Sequence, residues 1–269
     1  MASFATISAD KLARLVGTPN SPLIVDVRDE QARSDLPYAI PGSVNRPWRD
    51  ASSWIAELSA PNVVVTCAAG GAKSEGVAAL MRAVGIAAEI LEGGLEAWVA
   101  TKLPSIPLPK LPQTSPSRWV TRVRPKIDRI ACPWLIRRFV DPQATFLFVS
   151  ASEVRGVAER FDAIPFDIEG VHWSHRGELC TFDVMIEEFG LEFPALAKLA
   201  TIVRGADTAR LDIAPEAAGL LAVSLGLSRM YGNDLEQLDA GMLVYDALYR
   251  WSRDASDETH NWPGTGGRK

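Results

Sequence analysis

The amino-acid sequence predicts an α/β protein in two parts: a small, mostly parallel sheet wrapped by helices, followed by a largely helical α+β domain. Three features carry that expectation. Over residues 1–100, short β-branched runs alternate with stretches of helical apolar spacing, the pattern of a parallel sheet covered on both faces. Residues 101–117 then hold prolines at 104, 107, 109, 112 and 116, a density that favours an extended, semi-rigid spacer. From residue 118 to 253 the apolar residues fall mostly at helical intervals, and the polar, glycine-rich run 254–269 predicts a disordered tail. A length of 269 residues suits two domains.

The first part reads in order. Ser8 is placed to cap a short helix whose apolar side is Leu12, Leu15 and Val16. Leu23 to Val27 is a buried strand that ends in Asp26 and Arg28, and Pro37 and Pro41-Gly42 impose turns. Trp54, Ile55 and Leu58 predict a short helix before a second strand at Val63-Val64-Val65. That strand stops at Cys67. A loop of small residues follows, Ala68, Ala69, Gly70, Gly71 and Ala72, then Lys73 and Ser74, and Val77, Leu80, Met81 and Val84 predict a helix over 74–85. A strand over Ala88 to Leu91 and a helix after Gly93-Gly94 complete the part.

The loop has the makings of an anion cradle. Small residues let successive backbone N–H groups turn inward, and the positive end of the following helix favours negative charge in the same place. Cys67 at its rim is the candidate nucleophile, with the loop amides and Lys73 favouring its thiolate.

Four separated motifs then share one resemblance: Asp26-Val-Arg28, Ile40-Pro-Gly-Ser43, the Cys67 loop, and Gly93-Gly94 ahead of Trp98. Together, over roughly residues 5–100, they resemble the rhodanese (sulfurtransferase) domain. The resemblance implies a persulfide formed on Cys67, a substrate cradle from Ala68 to Ser74, and Asp26 and Arg28 as structural support. It implies no cofactor for this domain. The loop is one residue longer than the commonest sulfur-transferring form, and Lys73 stands where Arg is usual. In that respect it is similar to the phosphatases and arsenate reductases of this fold, whose pockets admit a tetrahedral oxyanion.

The second part opens with a strand over Trp119 to Val123. Cys132 precedes Pro133, which suits the first position of a helix, so Cys132 is expected at the N-cap, a second candidate thiol. Further helices are predicted over 191–204, 215–225 and 234–251. The blocks Pro165-Phe-Asp-Ile, His175 to Asp183, Arg204-Gly-Ala-Asp-Thr, Pro215 to Leu220 and Tyr245 to Tyr249 resemble the C-terminal domain of the chromate-resistance protein ChrB, over roughly residues 118–252. That family implies a link to chromate resistance, and in some members regulation of chromate efflux, without assigning a catalytic residue. His175, Asp207 and Glu216 are candidate ligands for a metal ion of unknown identity, joined by Asp239 and Asp246 if the last helix brings them near. Each also has a plain role as cap or helix-terminal acid.

Charge narrows the partners. The chain carries −5 overall, yet residues 118–140 hold seven Arg or Lys against one Asp, and residues 141–269 hold eleven against twenty-one acids. Internal pairing between the two is favoured over nucleic acid, for which no helix-turn-helix or zinc-finger spacing speaks. No apolar run approaches the roughly 20 residues of a membrane span. Residues 1–10 lack the features of a leader, and three cysteines form no disulfide framework, so a cytoplasmic, reducing setting is expected. The sequence therefore supports a sulfurtransferase taking sulfur from a small anionic donor to a thiol acceptor. Its rivals are a chromate- or metal-responsive regulator and a thiol-dependent reductase of a tetrahedral oxyanion.

Overall fold

Valine and isoleucine alternate sides along the central strands, and that alternation divides the core of the first part. Ile24 and Val64 face one apolar cluster, whereas Val25, Val63 and Val65 face another. The computed structural model describes residues 6–258. Its first elements are Thr6–Ile7 (β1), Ala9–Ala13 (α1), Leu23–Asp26 (β2), Glu30–Asp35 (α2), Tyr38–Ala39 (β3), Ser43–Asn45 (β4) and Ala51–Trp54 (α3). Asn62–Thr66 (β5), Ala72–Ala83 (α4), Ala87–Leu91 (β6) and Gly94–Ala100 (α5) follow. Five strands in the order β1-β6-β5-β2-β4 pair in parallel throughout. The expected parallel sheet is there, with β1 added at its edge.

Ser8 caps α1 as expected, its hydroxyl accepting from Lys11 N–H at 3.3 Å. Helix α4 begins at Ala72, two residues before the expected start at residue 74, because the glycine loop ends there.

The proline-rich segment is more regular than its composition suggests. Ile106–Pro107 (β7) pairs antiparallel with β3, Ile106 is fully buried, and Trp98 Nε1 donates to Pro104 O at 2.9 Å. A two-residue ladder at an edge spares the proline from donating, which a central strand would not. The segment is thus a docked strap rather than a free spacer.

After it come Arg118–Arg122 (β8), Asp128–Leu135 (α6), Thr145–Val149 (β9), Val154–Phe161 (α7) and Ile164–Pro165 (β10). Thr181–Phe189 (α8), Pro194–Asp207 (α9), Ala217–Met230 (α10) and Asp234–Asp254 (α11) complete a largely helical region. Strands β10, β8 and β9 form a second parallel sheet of three, where the sequence had shown only the first of them. Asp254 ends α11, so the expected tail starts inside a helix, and its residues 259–269 lie outside the described residues.

One apolar cluster crosses from the first part to the second. It joins Leu12, Val16 and Trp98 to Phe139, Leu196 and Tyr249. Phe139 sits on Gly17, whose φ is +77°, and a Cβ there would come within 2.2 Å of the ring. The Gly42 N–H donates to the Phe139 carbonyl.

Candidate functional site

Strand β5 delivers Cys67 to the carboxyl edge of the five-stranded sheet, where ligands of open parallel sheets sit. Its side chain packs beside Val25 and Val65 and is 5% exposed, while Sγ lies 3.2 Å from Ser74 Oγ in the first turn of α4. The loop is shaped by glycines: Gly70 has φ +73°, and a Cβ on Gly94 would fall 2.6 Å from Cys67 O, Ala68 O and Gly70 N. The Leu95 and Glu96 amides hold Cys67 O and Ala68 O at 2.9 Å each. Among the described residues, no backbone carbonyl accepts from the amides of Ala68 through Ser74.

Lys73 has a partner of its own. Its Nζ lies 3.0 Å from Asp29 Oδ2, a contact that holds the Asp29 carboxyl down at about 2. Asp26 and Arg28 form a buried, two-pronged ion pair with contacts of 2.7 to 3.1 Å, and the Arg28 guanidinium also donates to Leu36 O and Tyr38 O at 2.7 Å.

Cys132 stands elsewhere than expected. Helix α6 starts at Asp128, after Ile127 with φ +40°, so Cys132 lies inside the helix and Pro133 follows within it. The thiol is fully buried, and burial followed by the nearby Asp128 carboxylate pushes it well above the ordinary thiol range. It is neither a cap nor a reachable acceptor. Cys180 is likewise buried and raised, burial again the larger cause.

The second domain does gather a charged cluster. His175 Nε2 lies 3.2 Å from Asp207 Oδ2, 3.4 Å from Asp128 Oδ2 and 3.6 Å from Asp167 Oδ1. Facing Asp128 first, then Asp167 and Asp207, the ring is pushed up to about 12. Burial holds Asp128 above the usual carboxylate range, with His175 opposing. Asp167 resists burial through His175, Thr181 and Arg129, and is lowered. Glu216 is outside this group, at the start of α10, and the other expected acids are engaged as well: Asp239 with Arg137 at 3.4 Å, Asp246 with Arg138 at 2.7 Å and with Trp134 Nε1 at 2.8 Å. Asp128 and Asp167 take their places. The sequence signals for them were thin: Asp128 is the lone acid in a basic stretch, and Asp167 lies in the Pro165-Phe-Asp-Ile block.

Comparisons with known proteins match the chain in two separate stretches. The rhodanese-like domain family model matches residues 8–101, and the family model described as ChrB, C-terminal domain, matches residues 119–252. Over 133 residues the chain is 40% identical to Protein ChrB of Cupriavidus metallidurans, covering 49% of this chain and 40% of that relative. The chain therefore spans well under half the length of the curated relative it matches. Among solved structures, a rhodanese-related protein from Thermoplasma volcanium is 21% identical, with 38% of this chain and 98% of that chain covered and a TM-score of 0.34. A thiosulfate sulfurtransferase from Pseudomonas aeruginosa is 25% identical, with 38% and 19% covered and a TM-score of 0.32.

Proposed function

With a rhodanese-like domain over residues 8–101 and a ChrB C-terminal domain over residues 119–252 as its two parts, we propose that this chain moves sulfane sulfur through Cys67 in the service of chromate resistance. In the reaction the Cys67 thiolate attacks the outer sulfur of a donor such as thiosulfate. A sulfur–sulfur bond forms on Cys67 as the donor's own breaks, and sulfite leaves with the electron pair. An acceptor thiolate then attacks the outer sulfur, takes it as a persulfide and returns Cys67 as thiolate. The loop amides meet the anionic charge in both steps.

The observation that carries this reading is the row of amides from Ala68 to Ser74, free of backbone acceptors, beside a cysteine at a strand end. Lys73 contributes through its tie to Asp29 rather than by direct charge on the sulfur. Because Cys132 and Cys180 are both sealed in the second domain, the acceptor is a thiol on another molecule.

The test is a mass spectrum of the protein after incubation with thiosulfate. A gain of about 32 Da on the Cys67 peptide is expected, absent in Cys67→Ser. No gain there, or a gain retained in Cys67→Ser, would end the proposal.

A second reading makes the chain a chromate- or metal-responsive regulator, and the match to Protein ChrB together with the His175 cluster favours keeping it. Loss of chromate coupled to thiol consumption and dependent on Cys67 would instead favour oxyanion reduction.

A further inference from the structure

Four stretches far apart in the chain converge on one imidazole nitrogen. Asp128 opens α6, Asp167 follows β10, His175 stands in the loop before α8, and Asp207 closes α9. One ring N–H cannot point at three oxygens at once, and a charge-assisted N–H···O contact closes to about 2.7–2.9 Å. Here three oxygens from three carboxylates all stand back, at 3.2, 3.4 and 3.6 Å. The separations to Asp207 and Asp128, 3.2 and 3.4 Å, match the edges of a coordination shell, whereas Asp167 at 3.6 Å stands just outside it. Metal bonds of about 2.0–2.2 Å set neighbouring donors roughly 3.0–3.5 Å apart in octahedral or tetrahedral geometry.

Two independent features fit the same account. Asp128 is 1% exposed yet turns Oδ2 toward the imidazole, and the donor atoms of Asp128, His175 and Asp207 lie within 4.8 Å of one another. The carboxylates are also held in place by other partners. The Phe182 N–H donates to Asp128 Oδ1 at 3.3 Å and the Thr181 N–H donates at 2.6 Å to Oδ2, the oxygen that faces the ring, while Arg122 and Arg129 each hold Asp167 Oδ2 at 3.2 Å. Outer partners of this kind fix ligand orientation in metal sites. His175 is half exposed, which gives an ion a way in.

We infer that Asp128, His175 and Asp207 form a site for one divalent transition ion, with Asp167 standing beside it as the partner of Thr181, Arg122 and Arg129. Two carboxylates and one imidazole, with water at the open positions, make a donor set of Mn²⁺ character rather than the thiolate set of a structural zinc. The site is separate from Cys67 and does not depend on the sulfur chemistry proposed there.

The experiment uses the full chain carrying Cys67→Ser, so that the reactive thiol cannot bind a soft ion. After chelator treatment, Mn²⁺ is titrated and free ion is followed by its electron paramagnetic resonance signal. One Mn²⁺ per chain is expected, weakened at least about tenfold in His175→Ala and in Asp207→Asn, and unchanged in Glu216→Gln. The parent chain gives a second reading, a rise in unfolding temperature with Mn²⁺ that His175→Ala abolishes. Failure to bind at about 1 mM, or binding that survives both substitutions, would overturn the site and leave His175 as the counterion of three acids.

Discussion

Arg28 is 1% exposed, and its guanidinium is shared between the Asp26 carboxylate and the carbonyls of Leu36 and Tyr38. One side chain thereby fixes the end of β2 to the start of β3. Replacing it with alanine leaves Asp26, itself 3% exposed, with only the backbone N–H of residue 28 at 3.1 Å and the more distant Arg33 guanidinium at 3.8 Å. The expected loss for Arg28→Ala is roughly 3–5 kcal/mol, measured by urea unfolding, and Arg28→Lys recovers only part because an ammonium cannot make the fork. A loss under about 1 kcal/mol, the scale of an exposed pair, would show that solvent reaches Asp26 after all. Lys73 and Asp29 illustrate the contrast, an ion pair at the surface whose role is to place a side chain rather than to hold the fold. The rhodanese resemblance implied Asp26 and Arg28 as support; the sequence could not show which carbonyls the guanidinium reaches, since that depends on how the chain returns through residues 36–38.

At the scale of elements, α5 and the loop between β5 and α4 act as one piece. Gly94 has φ +60°, and a methyl group there would collide with Cys67 O, Ala68 O and Gly70 N at 2.6 Å. Gly94→Ala should therefore cost about 1–3 kcal/mol and, more tellingly, slow labelling of Cys67 by a small thiol reagent, because relief comes from moving the loop. Unchanged labelling with reduced stability would show that α5 shifts instead. The Gly93-Gly94 pair made this packing legible, since only glycine allows the approach. Helix α6 was less legible. Pro133 is an ordinary helix-opening residue, but the backbone turns at Ile127 and the helix is under way from Asp128, with a wider turn over Ile136–Val140 following the proline. The His175 cluster was half visible for a related reason: His175 and Asp207 are chemically suggestive, whereas Asp128 and Asp167 reach them through β8, β10 and α6, contacts with no periodic trace in sequence. Within the basic stretch, Arg122 and Arg129 meet Asp167, Arg137 meets Asp239, Arg138 meets Asp246 and Arg118 donates to Phe161 O.

Across the whole molecule, the apolar cluster that links the two parts makes them interdependent. Phe139 comes from the second part, yet its ring rests on Gly17 and its carbonyl accepts from Gly42, both in the first. On its other sides it meets Tyr249 at 5.5 Å, Trp134 at 5.7 Å and Phe193 at 6.0 Å. Two domains strung on a flexible spacer would unfold separately. A ring buried by both should instead couple them, and the strap formed by β7 adds a ladder to the coupling. Phe139→Ala is expected to cost about 3–5 kcal/mol, with native-state hydrogen exchange as the measurement. Protection of the β5 amides and of the α9 amides should fall by similar free energies, because opening one part exposes the face of the other. If α9 loses protection while β5 keeps it, the contact at Gly17 is passive and the first part stands by itself; equal losses identify Phe139 as the residue through which the sheet that carries Cys67 and the His175 cluster share one folding equilibrium.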